Sequence, residues 1–261
     1  MKLLSKVRVP NRITKMKPKK GLAHVFHIIL TLLLPLLVYV LVAMHFALAA
    51  VLLIVLSKWR MFAVKPRHWP ANIRANAIDI IVGLSLVVFM MTAAQSGSQL
   101  IQIAWAAAYA VWLLFIKPGT HVLSVSAQAL IGQFLGMTAL FLRFGGVELG
   151  ILVVASWGIC YLTARHFLAS FDEPQTRFFS YLWGYFGSVV VWILGHYLLS
   201  RGAFFQPVLL INVIGFGLAT LYYLQETDRL SSFFRRQIMF IVISVVVILV
   251  ILPFVLWDKT I

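Results

Sequence analysis

The stretch VFHIILTLLLPLLVYVLVAMHFALAAVLLIVL, from Val25 to Leu56, decides the architecture of this chain. Its 32 residues are interrupted only by His27, Thr31, Pro35 and His45. As one helix it would be about 48 Å long, against a bilayer hydrocarbon core of about 30 Å. That requires a tilt beyond about 50°, outside the usual range of about 0–40°. As a hairpin it makes two short spans, near Leu22–Leu41 and Ala43–Ser57.

Charge distinguishes the two. Reading the stretch as one span reverses every later loop and divides the 22 basic residues 11 to 11 between the two sides. The hairpin divides them 19 to 3, with only Arg143, Arg201 and Lys259 on the minority side. Lys and Arg are retained on the cytoplasmic face during insertion, so this asymmetry orients the chain with its N-terminus inside and its C-terminus outside. The expected fold class is all-α, a polytopic helical membrane protein of about nine transmembrane helices. A basic cytoplasmic tail over 1–21 precedes a single transmembrane helical domain over 22–261, in the cell (plasma or inner) membrane.

Composition agrees. A mean hydropathy of +0.98 with 11% charged residues excludes an ordinary soluble domain, in which about 25% of residues are charged. Cys160 is the single cysteine, which excludes an internal disulfide, a CxxC redox motif and a thiolate zinc site. The net charge of +15 invites a nucleic-acid reading. The cations flank apolar spans, however, so the lipid bilayer and its anionic headgroups are the expected partner, and no nucleic acid is. The tail holds Lys2, Lys6, Arg8, Arg12, Lys15, Lys17, Lys19 and Lys20 without an acid.

The remaining spans fall near Asn76–Ala94, Gln99–Ile116, His121–Leu142, Val147–Ala164, Phe178–Leu199, Phe205–Leu224 and Ile238–Leu256. Turn formers separate them, among them Pro118-Gly119, Gly145-Gly146 and Asp172-Glu173-Pro174. Trp59, Trp69, Trp112 and Trp257 sit near span ends, where interfacial aromatics concentrate.

Ionisable and polar groups inside spans are the first candidates for function. Asn72, Asn76, Asp79 and Gly83 share one helical face. That face enters from the cytoplasmic side and lines a polar vestibule, or else Asp79 pairs with a loop cation such as Arg74 or Arg165. His121, Ser124, Gln128, Gly132 and Gly136 form a stripe on the fifth span. Ser156, Cys160 and Thr163 form one on the sixth, Tyr181, Gly184, Ser188 and Gly195 on the seventh, and Asn212, Gly215 and Ala219 on the eighth. The candidate polar face is therefore Asn72, Asn76, Asp79, His121, Ser124, Gln128 and Asn212. Small residues such as Gly132 and Gly136 let helices approach closely, so the same stripes serve internal packing, a membrane-protein partner or a homo-oligomer. The ninth span has no such stripe and reads as lipid-facing.

The loop 57–74 interleaves Lys58, Arg60, Lys65, Arg67 and Arg74 with Trp59, Met61, Phe62 and Trp69. Rings and cations in that mixture lie at headgroup depth, which makes these five cations candidate lipid-phosphate contacts. Pro66 and Pro70 prevent one continuous helix through it.

No H-E-x-x-H, G-x-S-x-G or Walker loop is present, which weighs against an enzyme, and no motif specifies a cofactor. The residues point to transport or handling of a small or lipid-type substrate. A non-catalytic accessory or scaffold subunit is one alternative. The other is an enzyme acting on a lipid phosphate at the cytoplasmic face, built on Asp79, Asp172, Glu173, Glu226 and Asp228 with His68 and His166 nearby.

Overall fold

The long apolar stretch is broken at Met44–Phe46, and the break has a local cause. In the computed structural model, which describes residues 22–197 and 206–257, helix α1 (Leu22–Ala43) ends where His45 turns left-handed, at φ 65°. The Phe46 N–H reaches back to Leu41 O (2.8 Å) and the His45 N–H to Val42 O (3.0 Å). These are the two backbone bonds of a Schellman motif, which closes a helix without side-chain help. Helix α2 (Ala47–Leu56) follows with only ten residues, about 15 Å. It is shorter than the span expected over Ala43–Ser57 and reaches through about half of a hydrocarbon core.

Seven further helices complete the described residues: α3 (Trp69–Gln95), α4 (Gln99–Val111), α5 (Val122–Phe144), α6 (Leu149–Ala169), α7 (Thr176–Tyr197), α8 (Gln206–Glu226) and α9 (Ser232–Trp257). These seven are long and apolar enough to cross a membrane, α4 with its continuation to Ile116. That continuation is a π-helical turn over Trp112–Ile116, in which the Lys117 N–H bonds to Trp112 O (2.8 Å). Helix α3 starts about two turns earlier than the sequence suggests, because Pro70 falls in its first turn. A proline there gives up an N–H that has no helical partner anyway. The basic-aromatic loop is thereby cut to 57–68.

Helix α3 organises one half of the bundle. Ile78, Val82, Leu86 and Met90 are buried together with Val38 and Val42 of α1, Ala50 and Ile54 of α2, and Tyr109 of α4. The other half packs Met137 and Phe141 of α5 with Leu152 and Cys160 of α6, Val191 of α7, and Val208 and Ile211 of α8. Glycines permit the close crossings. A Cβ on Gly132 would stand 2.9 Å from Ile78, and one on Gly136 would stand 2.6 Å from Ile81. The Gly132/Gly136 stripe expected to mediate packing or oligomerisation is thus spent inside the chain. Helix α9 hangs on α8, where Gly217 lies against Val242 and Gln206 Nε2 donates to Leu249 O (2.6 Å). None of the most apolar stretch of α9 is buried.

Side-chain contacts gather the α2–α3, α4–α5 and α6–α7 connections and the end of α8 at one end of the bundle. Lys58 and Lys117 meet Asp79, Gln128 joins Ile116 to His166, and Tyr222 meets Glu173. This is the basic end, and Arg143 lies at the other, where α5 finishes. The tail over 1–21, Arg201 and Lys259 fall outside the described residues.

Candidate functional site

Two sites are built at the basic end, one ionic and one apolar. The ionic site centres on Asp79, which is 7% exposed. Its Oδ1 accepts a hydrogen bond from Trp112 Nε1 (2.9 Å), and its Oδ2 faces both Lys117 Nζ (2.6 Å) and Lys58 Nζ. Three elements therefore converge on one carboxylate: the end of α2, the eleventh position of α3, and the π-turn after α4. The extra residue of the π-turn lets Trp112 and Lys117 both reach it, the kind of local widening that recurs at functional positions. Burial pulls the Lys58 ammonium below the ordinary lysine value, against the attraction of Asp79. A buried carboxylate needs such partners, because an unpaired charge at this depth carries a heavy desolvation cost.

This arrangement corrects the partners expected for Asp79. Arg165 lies over the Tyr161 ring and donates to its hydroxyl (2.6 Å), and among the described residues Arg74 makes no ion pair. The face carrying Asp79 is covered, not open as a vestibule. Asn72 Nδ2 donates to Met61 O (3.3 Å), Asn76 Nδ2 donates to Asn72 O (2.9 Å), and Gly83 lies against Ile54 and Tyr109. Trp112, read from sequence as an interfacial ring, is buried at 3% exposure because its indole N–H serves Asp79.

Gln128 is a structural brace. Its Nε2 donates to Ile116 O (2.7 Å) and Gly119 O (3.0 Å), and its Oε1 meets His166 Nε2 (3.1 Å). His121 precedes α5 on the exposed surface and Ser124 lies beside Gly119, so neither faces Asp79. Asn212 lies elsewhere, on the second site.

In the loop 57–68, Met61 is buried as an anchor, Trp69 Nε1 donates to Val64 O (3.0 Å), and Phe62 meets Trp69 edge-on at 5.5 Å. Arg60, Lys65 and Arg67 stay exposed among the exposed rings of Trp59, Phe62 and Trp69. Arg67 Nε donates to His68 Nε2 (2.9 Å). Arg74 is half-buried on α3. Lys58 turns inward, so three of the five cations read as lipid-phosphate contacts form the exposed set.

The apolar site is a cavity of about 500 Å³ between α5, α6, α7 and α8. That volume falls within the range of small-molecule sites. Its floor is a polar knot in which the sequence reading named Thr163 and Asn212 but missed Gln133 and Trp183. Gln133 Oε1 accepts from Trp183 Nε1 (2.8 Å) and Thr163 Oγ1 (3.2 Å), while its Nε2 faces Asn212 Oδ1 (3.4 Å). Gly215 makes room, since a Cβ there would stand 3.0 Å from both Gln133 and Trp183. A glutamine and a tryptophan in the middle of apolar helices were the available signal, because uncompensated polar groups are costly there.

The walls are apolar, with Ala129, Ala164 and Ala219 providing the space. Helix α7 packs along α6 but meets α8 sparsely. The cavity opens through that gap, where its lining residues Leu182 and Leu218 are 55% and 52% exposed. Towards the basic end it closes on Phe167 and Tyr222, and the Tyr222 hydroxyl donates to Glu173 Oε2 (2.5 Å).

The carboxylates read as those of a lipid-phosphate enzyme do not form one centre. Asp79 is committed to its lysines and Glu173 to Tyr222. Among the described residues no three His, Cys, Asp or Glu side chains are grouped as metal ligands would be. No family model matches the chain, and no curated protein or solved structure is significantly similar to it.

Proposed function

We propose that this chain is an integral membrane protein that handles a lipid-type substrate, taking one apolar chain sideways into the α5–α8 cavity. The observation that carries the reading is the lateral gap between α7 and α8, whose lips Leu182 and Leu218 are exposed lining residues of an otherwise apolar cavity. In a bilayer such a gap faces acyl chains, and a chain can enter without crossing the headgroup layer. The 19-to-3 charge division supports placing the basic end in the cytoplasm, with nine helices from the N-terminus inside to the C-terminus outside. The cavity then lies in the inner half of the cell membrane. The accessory-subunit reading draws on α9, which among the described residues packs mainly against α8 and leaves a face for a partner helix.

The test uses an alkyl-diazirine phospholipid incorporated with the purified full chain in nanodiscs. Crosslinks should concentrate on Leu182, Phe186 and Leu218, and Ala219→Phe, which fills the cavity, should deplete them. Crosslinks spread evenly over α7, α8 and α9, unaffected by Ala219→Phe, would remove the lipid-handling reading.

A further inference from the structure

Helices α6 and α7 run antiparallel, and a stripe on one meets a stripe on the other in register. Trp157, Tyr161 and Arg165 repeat every four residues on α6, as Tyr185, Tyr181 and Arg177 do in reverse on α7. Residues four apart stand over one another on a helix, about 6 Å along its axis. Ring contacts fix the register. Trp157 lies 6.3 Å from Tyr185 and Tyr161 lies 4.9 Å from Tyr181, with Trp157 and Tyr161 stacked at 5.3 Å. Gly184 permits the approach, since a Cβ there would stand 3.0 Å from Trp157 Nε1. One turn further towards the basic end, the same register sets Arg177 opposite Arg165.

This ladder lies on the outside of the bundle, on the side of α7 away from Trp183 and Phe186, which line the cavity. Tyr181 and Tyr185 are 44% and 61% exposed, and their hydroxyls make no hydrogen bond among the described residues. Neither arginine is neutralised. Arg165 Nη1 donates to the Tyr161 hydroxyl, a neutral acceptor. Arg177 is exposed and makes no hydrogen bond or ion pair among the described residues. Asp172 and Glu173 of the α6–α7 connection pair with neither, and Glu173 is turned to Tyr222 of α8. Two unpaired guanidinium groups thus head a run of rings that extends about 12 Å below them. The same order of chemistry runs along a phospholipid, from phosphate through ester oxygens to acyl chain. Guanidinium forks match phosphate oxygens, tyrosine hydroxyls donate to esters, and ring faces receive the chain. The choline of a zwitterionic lipid would bring a further cation beside two others, so a net negative head is favoured. We infer that the α6–α7 ladder binds one anionic phospholipid, its phosphate on Arg165 and Arg177 and a chain along Tyr181, Trp157 and Tyr185. The site is separate from the cavity and does not depend on what the cavity handles.

The test uses two alkyl-diazirine lipids with identical chains, a phosphatidylglycerol and a phosphatidylcholine, each with the full chain in phosphatidylcholine nanodiscs. Crosslinks at Trp157, Tyr181 and Tyr185 should be about tenfold more abundant with phosphatidylglycerol, the size expected for a hydrogen bond between charged groups. Arg165→Gln combined with Arg177→Gln should bring the two probes within about twofold at those rings. Crosslinks at Leu218, on the cavity, should stay as they are, so this result is read separately from the lipid-handling reading. Arg177→Glu changes an exposed position without partners; it should remove the preference by itself and serves if the double variant does not fold. Glycerol phosphate, a head without chains, should fail to compete at millimolar concentration. Equal labelling of the rings by both probes in the unaltered chain would overturn the inference, as would a preference that survives Arg177→Glu. Competition by glycerol phosphate as strong as that of the intact lipid would also overturn it, because the arginines would then bind free phosphate.

Discussion

Lys117 reaches Asp79 from the far side of a π-turn, Nζ to Oδ2 at 2.6 Å, and so ties the end of α4 to the interior of α3. With Lys58 on the same oxygen, the contact also holds α2, a helix too short to anchor itself by length. Asp79→Leu leaves Lys58 buried without a counter-charge. The expected loss is about 3 kcal/mol, the low end for breaking a buried pair, because Lys117 can turn to solvent. Asp79→Asn keeps an acceptor for Trp112 and should lose less. Adding Lys58→Met to Asp79→Leu should recover part of the melting temperature in detergent. If both single variants melt with the unaltered chain, the cluster is not what holds α2.

The cations of the loop divide into two kinds, and substitution should separate them. Replacing Arg60, Lys65 and Arg67 with Gln removes exposed charge, which on the lipid-contact reading is worth about 1 kcal/mol per cation towards anionic lipid. Native mass spectrometry should then show less retained anionic lipid at an unchanged melting temperature. Lys58→Gln should do the reverse, lowering the melting temperature with little effect on retention. Equal lipid retention in the triple variant would mean that these cations serve only to orient the chain.

Two glycines on neighbouring helices should respond in opposite directions. Gly136→Ala drives a methyl to 2.6 Å from Ile81 and should cost about 1–3 kcal/mol, as overpacking does. A Cβ added at Gly158 would meet no other side chain or neighbouring helix within 4 Å, so Gly158→Ala should gain up to about 1 kcal/mol from helix propensity. Thermal melts of the pair compare them directly; destabilisation of both would place a neighbour on Gly158.

Orientation can be read with fusions. A reporter after Ile261 should behave as exterior and one inserted within 62–66 as cytoplasmic, in keeping with the charge division. A cytoplasmic C-terminus would mean that α1 and α2 do not return the chain to the side on which it starts.

Much of the helical layout was legible because apolar length and charge asymmetry are one-dimensional properties. The break in the 32-residue stretch, the run of apolar helices and the isolation of α9 all follow from them. The start of α3 was misplaced because Asn72, Arg74 and Asn76 lower local hydropathy without opposing a helix. Gly132 and Gly136 were recognised as packing residues, since a missing side chain has the same meaning in any close crossing.

Which polar groups meet was not legible, because that depends on how helices distant in sequence are rotated against one another. Asp79 was visible as an acid within an apolar helix, but its partners Lys58 and Lys117 come from opposite directions along the chain. A π-turn that no residue pattern announced brings the second of them in. Gln133 and Trp183 stand out in sequence only as polar groups within apolar helices. They form a floor only because α5, α6, α7 and α8 surround a space that three alanines and a glycine leave unfilled. Sequence by itself determined how many helices form among the described residues and which helix ends carry charge, since hydropathy and cations are read locally along the chain. The tertiary structure alone decided which carboxylate is paired with lysines and which accepts from a tyrosine, because side-chain pairing is set by the packing of whole helices.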